Sequence, residues 1–171
     1  CVNQDSQGFI WLGTEDGLIR YDGYTFKTFR HDPRDTNSIN SNTVYSICED
    51  SSGNIWAATA RGLCCLDRKT GQFIKFPVNN KLLHSIQIVK TGANEMIGID
   101  DNGPFKFNAV SKVRTNISID QGKGEILIEA TGVFRPVHVL SNGDSYLIGY
   151  NVAKGYNVLM KYDRKQNRFV Q

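Results

Sequence analysis

His31, His84 and His138 are the side chains best suited to moving protons near neutral pH, and they lie far apart with no His-x-x-His or His-Glu pair to seat a metal ion. Three acid pairs, Glu15-Asp16, Glu49-Asp50 and Asp100-Asp101, could act as general acid and base. Each falls among glycine and short polar residues that mark turns, so they read as solvated turn acids. Asp50-Ser51-Ser52-Gly53-Asn54 opens like a calcium loop but lacks the later glutamate ligand. There is no Gly-x-Ser-x-Gly elbow, and the glycines of "QGKGE" (Gln121 to Glu125) do not have phosphate-loop spacing. These features predict no catalytic set, no metal and no cofactor. What remains is recognition chemistry in polar segments: Arg30, His31, Arg34, Arg61 and Tyr156. Arginine presents a planar fork that suits a carboxylate or sulfate, so these five are the candidate ligand-binding residues, provided the fold brings them together.

The elements that must position them are written as a repeat. "DSQGFIWLGTEDGLIRYDGYTF" runs from Asp5 to Phe26, and "DSSGNIWAATARGLCCLDRKTGQF" from Asp50 to Phe73. A shift of 45 residues pairs Asp5 with Asp50, Gly8 with Gly53, Trp11 with Trp56, Thr14 with Thr59, Gly17 with Gly62 and Asp22 with Asp67. A third, fainter copy is "NEMIGIDDNGPFKFN", where Met96 takes the tryptophan place, Gly98 matches Gly13, and Phe107-Asn108 stands for Tyr21-Asp22. In the fourth, Asn142 to Phe169, Gly149 matches Gly13 and Lys161-Tyr162-Asp163 matches Arg20-Tyr21-Asp22. Repeats of roughly 40–50 residues with strand chemistry indicate propeller blades.

The second copy shows the physics. Thr43–Asp50 is rich in β-formers, Asp50 to Gly53 is a turn, Asn54–Thr59 a second strand, Leu63–Asp67 a third and Gln72–Phe76 a fourth. Four short antiparallel strands make one blade. The inner strands are apolar on both faces, which a sheet with one wet face would not tolerate and a sheet sandwiched between others requires. Gly13, Ala58, Gly98 and Gly149 fit places where blades crowd, and Trp11 and Trp56 read as filling between blades. No segment carries a sustained helical period. The expected fold is all-β, a β-propeller fragment of about four blades of four-stranded antiparallel sheets, approximately 1–30, 40–77, 83–119 and 126–171. The stretch Val113–Val133 breaks the pattern and is expected to hold an outer strand and an extra hairpin. Arg30, His31, Arg34, Arg61 and Tyr156 then fall on loops at one ring face, together with Thr14–Asp16, Arg30–Asn42, Pro77–Leu82, Asp100–Asn102 and Asn151–Tyr156.

Composition sets wide limits. The 171 residues are 40% hydrophobic and 22% charged, ordinary for a globular domain. A net charge of +3, with basic residues scattered, does not argue for nucleic acid. No apolar run reaches spanning length, so any membrane or targeting segment is expected outside this stretch. Cys1, Cys48, Cys64 and Cys65 have neither metal nor disulfide spacing and read as small hydrophobes, with a Cys48 pairing left open.

The motif D-x-x-G-x-I-W-x-G-T-x-x-G-L-x-R-Y-D-G-x-x-F, Asp5 to Phe26, resembles the two-component regulator propeller repeat. Asn37-Ser38-Ile39 followed by a strand resembles that family's passage between blades. The resemblance covers the first 76 residues, and the later copies lose the Trp and the Gly-Thr. WD repeats, Kelch blades and sialidase Asp boxes fit less well. The resemblance implies a non-enzymatic periplasmic sensor segment of a hybrid two-component histidine kinase of the Bacteroides type, responding to glycan-derived ligands such as oligosaccharides. A protein-interaction scaffold is the alternative, and a propeller lyase a more distant one. Residue 1 aligns within a first strand, so the segment is expected to begin inside a blade and to need missing blades or a second copy beside it.

Overall fold

The computed structural model describes residues 1–77, 86–120, 126–127, 138–140, 142, 144–151 and 156–170, and every described regular element is a β-strand. The chain divides into two compact units, Cys1–Ile88 and Val89–Gln171.

In the first unit, β1 (Val2–Gln4), β2 (Ile10–Gly13), β3 (Leu18–Tyr21) and β4 (Phe26–Phe29) form one antiparallel sheet in chain order. β5 (Val44–Glu49), β6 (Ile55–Thr59), β7 (Gly62–Leu66) and β8 (Phe73–Pro77) form the second. The strands match those expected for the second copy to within a residue. Every residue of β6 and β7 is buried, which is why their sequence has no polar face. Trp11, Leu18 and Ile39 share one apolar cluster with Ile47, Ile55 and Ala57, so the first sheet's tryptophan packs against the second sheet. Phe29 stacks on Trp11 with centroids 5.9 Å apart and meets Phe73 edge-on at 5.6 Å, the offset and edge contacts aromatic rings prefer.

The repeated residues do the same work in both sheets. Asp5 Oδ1 accepts the Gln7 and Phe9 amides at 2.9 and 3.0 Å, and Asp50 Oδ1 accepts those of Ser52 and Asn54 at 2.8 and 3.0 Å. The indole N–H of Trp11 reaches Asp5 at 2.6 Å, and that of Trp56 reaches Asp50 at 2.9 Å. Gly8 (φ 89°) and Gly53 (φ 83°) close the same turns in the left-handed region. A Cβ at Gly13 would lie 2.4 Å from Cys1 Sγ and 2.8 Å from Val44 Cγ1, so crowding explains that glycine.

In the third sheet, β9 (Ile86–Lys90), β10 (Glu95–Asp100), β11 (Gly103–Asn108) and β12 (Arg114–Asn116) run in chain order. The last contains β13 (Ser118–Ile119), β14 (Ile126–Leu127), β15 (His138–Val139), β16 (Ser145–Asn151), β17 (Tyr156–Asp163) and β18 (Arg168–Val170). β13 pairs in parallel with β18 and closes the outer edge, so the fourth sheet takes its outermost strand from the chain that precedes it. Of Val113–Val133, the outer strand is β12, while the extra hairpin falls mostly on residues 121–125 and 128–133, outside the described ones.

Two alignments shift by one. The Thr91 amide donates to the Glu95 carbonyl as Asp5 does to Phe9 and Asp50 to Asn54, and Gly103 has the positive φ of Gly62. Counted from those marks, Ile97 and not Met96 takes the tryptophan place. Ile97 joins the cluster with Leu147, Met160 and Phe169, whereas Met96 is buried outside that cluster. In the fourth sheet Leu140 donates to Asp144 in the same way, and Tyr146 pairs with Lys161 as Trp11 does with Arg20. That puts Ile148, not Gly149, at the Gly13 position. A one-residue slip exchanges the two faces of a strand, so the distinction is physical.

Candidate functional site

In the first unit, the loops expected at one ring face do meet. The chain leaving β4 returns past the ends of two hairpins and is fastened to both. Gly17 N donates to Asn42 O at 2.8 Å, Val44 N to Thr14 O at 2.8 Å, and Ala60 N to Thr43 O at 3.1 Å. The hairpin ends are alike: Thr14 Oγ1 donates to Gly17 O and Thr59 Oγ1 to Gly62 O, both at 2.9 Å. Asn40 is buried and ties the connection to the second hairpin, its Oδ1 lying 2.8 Å from Thr59 Oγ1 and sharing that hydroxyl proton with Gly62 O, and its Nδ2 donating to Leu63 O at 3.3 Å.

This geometry places four of the five candidates. Arg30 is exposed and its Nε and Nη2 hold both Asp16 oxygens at 3.0 and 2.5 Å. That hydrogen-bonded pairing holds the Asp16 carboxyl below its usual value. His31 is half-buried, with Nδ1 2.8 Å from Ile39 O and its amide 2.7 Å from Asn42 Oδ1. Arg34 lies on the surface against Asp32 at 3.4 Å. Arg61 tips the β6–β7 hairpin with its side chain exposed, and its backbone amide donates to Thr59 Oγ1. The connection brings His31 and Arg61 toward the same end through Ile39 and Asn40. The side chain of Tyr156 lies outside the described residues, as do His84, the side chain of His138 and residues 78–82 and 152–155.

The acid pairs are only partly the solvated turn acids expected: Glu15 and Asp16 are exposed, whereas Asp50 and Asp100 are buried, drawn in by the donors around them. Glu49 accepts the Ser6 amide and hydroxyl at 2.8 and 2.7 Å, joining the first two sheets. Asp100 is buried, accepts the Asn102 amide at 2.8 Å and meets Arg114 Nη1 at 2.6 Å. Among the described residues no group of three or more His, Cys, Asp or Glu could hold a metal ion, and all four cysteines are free thiols.

A second concavity escaped the sequence reading. It is a cleft of about 240 Å³ between the first two sheets, walled by Phe9, Arg20, Lys27, Phe29 and Arg68 over Trp11. Its signal in the sequence is a mismatch between repeats at positions 9 and 20, visible only once cross-strand partners are known.

Residues 38–61 match the family model described as "Two component regulator propeller". A stretch of 38 residues, 22% of this chain, is 50% identical to Histidine kinase P4 of Formosa agariphila and covers 3% of that protein. Among solved structures, the extracellular domain of a Bacteroides thetaiotaomicron protein described as a hybrid two component system superposes over 99% of this chain and 20% of its own, with a TM-score of 0.67 and 19% identity. An auxiliary nutrient binding protein from the same organism matches over 99% of this chain and 40% of its own, with a TM-score of 0.64 and 13% identity. A virginiamycin B lyase from Staphylococcus aureus matches over 93% of this chain and 54% of its own, with a TM-score of 0.61 and 14% identity. At these identities the likeness is one of fold, and the chain spans only a minor part of the two-component relatives. The fold is that of a β-propeller segment, four successive blades whose strands are antiparallel but for the β13–β18 edge pair.

Proposed function

Because the chain carries a two component regulator propeller repeat, we propose that it is a non-enzymatic, ligand-binding segment of the extracytoplasmic, periplasmic sensor of a hybrid two-component histidine kinase. The repeat carries this reading, and the 50% identity to a histidine kinase over 38 residues supports it. The proposed ligands are glycan-derived, and the proposed contact surface is the loop end built by His31, Arg61 and the 30–43 connection. Arg30 and Arg34 belong to it as cations whose exposed pairs with Asp16 and Asp32 are worth little and can be exchanged for a ligand carboxylate or sulfate. Missing blades of the same chain or a second copy complete the propeller. A ligand drives signalling only through unequal affinity for two arrangements of the sensor. Titrating oligosaccharides into the full sensor region should give saturable heat and a raised melting temperature. Silence across neutral and acidic fragments would remove the glycan reading. A protein-interaction scaffold is favoured by one observation, the exposure of Tyr24 and Phe26 on the outer hairpin. Capture of a periplasmic protein that is lost on Tyr24→Ser would favour it.

A further inference from the structure

The position of Arg20 is basic in three of the four blades. Its equivalents are Lys106 and Lys161, each just before the Phe107-Asn108 or Tyr162-Asp163 turn, and the second blade has Cys65. In the third blade Lys106 reaches Glu95 at 3.9 Å, and in the fourth Lys161 reaches Asp144 at 2.7 Å. Those two acids occupy one repeat position, fixed by the carbonyl that accepts from Thr91 or Leu140. In the second blade that position is Asn54, and the basic position holds the neutral Cys65. In the first it is Phe9. Cation and acid are matched in two blades and both absent in a third. Only the first blade keeps the cation and lacks the acid.

Arg20 stacks on the ring that replaces its acid, with Cζ 4.6 Å from the Phe9 centroid. Among the described residues its Nε is buried with no hydrogen-bond partner, a condition that is costly unless a partner arrives. Lys27 is directly across the ladder from Arg20 and lies over Phe29 at 5.0 Å. Neither has an ion-pair partner among the described residues. The same row of the second blade carries Cys65 and Ile74. Both cations line the 240 Å³ cleft. Arg68, the third cation there, is committed to Asp5 and Glu49. The Asp67 carboxylate is held by the Lys69 and Thr70 amides, and nearby Asp22 is held by those of Tyr24 and Thr25.

We propose that this inter-blade cleft binds a small ring bearing a carboxylate or sulfate, an acidic sugar unit of about one monosaccharide, whose anion takes the place of the missing acid beside Arg20 and Lys27. The volume sets the size, since drug-sized ligands need roughly 300 Å³ or more. Cation stacking leaves the guanidinium edge free to donate in its plane, and Phe9, Phe29 and Trp11 supply apolar walls. The site is separate from the loop end and stands without it.

Isothermal titration of the full chain with glucuronate, galactose 6-sulfate and glucose tests this. At least one acidic sugar should bind saturably and more weakly as salt is raised, and which one binds identifies the anionic group. Glucose should not bind. Arg20→Gln should weaken binding about tenfold or more, and Lys27→Gln should weaken it without disturbing the fold. Phe9→Glu, which restores the acid found in the third and fourth blades, should abolish it. Lys90→Gln, at an exposed position away from both the cleft lining and the loop end, should leave it unchanged. The proposal is overturned if neither acid binds, if glucose binds equally well, or if binding survives both Arg20→Gln and Lys27→Gln.

Discussion

The guanidinium of Arg68, in the turn after β7, crosses from the second blade to the carboxylate of Asp5 in the first, the same carboxylate that holds the Trp11 indole. The Asp5 side chain is fully buried and that of Arg68 is 17% exposed, and Glu49 stands 3.8 Å from the same guanidinium. Removing one member leaves the other buried and unpaired, a loss of about 3–5 kcal/mol at such sites. Arg68→Ala should therefore lower stability by ~3 kcal/mol in chemical denaturation. Arg34→Ala, at an exposed pair, should change it by less than about 0.5 kcal/mol. Equal effects would mean that the bridge contributes nothing to joining the blades.

Two glycines should fail for different reasons. A methyl at Gly13 has no room beside Cys1 and Val44, and overpacking of this kind costs ~1–3 kcal/mol. At Gly8 nothing lies within 4 Å, but φ is +89°, so Gly8→Ala carries only a backbone penalty of ~1 kcal/mol. Thermal melts should rank Gly13→Ala below Gly8→Ala. Cys1→Ala should partly rescue the first and leave the second untouched.

Acid should weaken the first unit in a defined window. Burial acts to raise the Asp5 and Asp50 carboxyls, and the indole and amide donors around each outweigh it, leaving both below the ordinary value of 3.8. Asp22 is lowered to about 2 by the Thr25 and Tyr24 amides and the Thr25 hydroxyl. Groups depressed in the folded state contribute stability that is present above the unfolded value, near pH 4, and lost as pH falls through the folded one. Denaturation midpoints should thus hold from neutrality to about pH 5 and fall steadily toward pH 2. Asp50→Asn should start lower and show a shallower fall. A midpoint indifferent to pH between about 5 and 2 would contradict the assignment.

Thiol chemistry should separate the four cysteines. Burial pushes the Cys64 thiol up to about 12, and Cys48 and Cys65 are also buried while Cys1 is exposed. The thiolate is the reactive form. Native protein treated with a thiol-alkylating reagent at mildly alkaline pH should be modified at Cys1 alone, and at all four only after denaturation. Rapid native labelling of Cys64 would show that the second blade opens more readily than its packing implies.

The first two blades were legible because almost every repeated residue has local chemistry. An aspartate folds its own turn, a glycine takes the positive φ, a threonine closes the hairpin, and a tryptophan returns to the aspartate. The third and fourth blades keep the bonding pattern without those side chains. Leu140 marks the turn through its backbone amide and Thr91 through its amide and hydroxyl rather than a carboxylate, so the letters Met96, Gly98 and Gly149 pointed one residue away from the true register. The loop end was readable as a gathering of loops. That Asp16 would occupy Arg30 was not, since fourteen residues separate them and only the hairpin brings them together. The cleft was hidden more deeply: the meaning of Phe9 emerges only when it is set against Glu95 and Asp144, a comparison that requires the hydrogen-bonded ladder of each blade.

The connection that passes from Arg30 to Thr43 belongs by sequence to the interval between two copies, yet it closes the hairpins on either side of it. The unit that is copied in the chain and the unit that is closed in space are therefore out of phase. A blade transplanted at its strand boundaries would arrive with its hairpin end unsealed, whereas an exchange cut inside a first strand would carry its own seal. Recombination among genes of this architecture should prefer such staggered junctions, and chimaeras designed from it should be cut there.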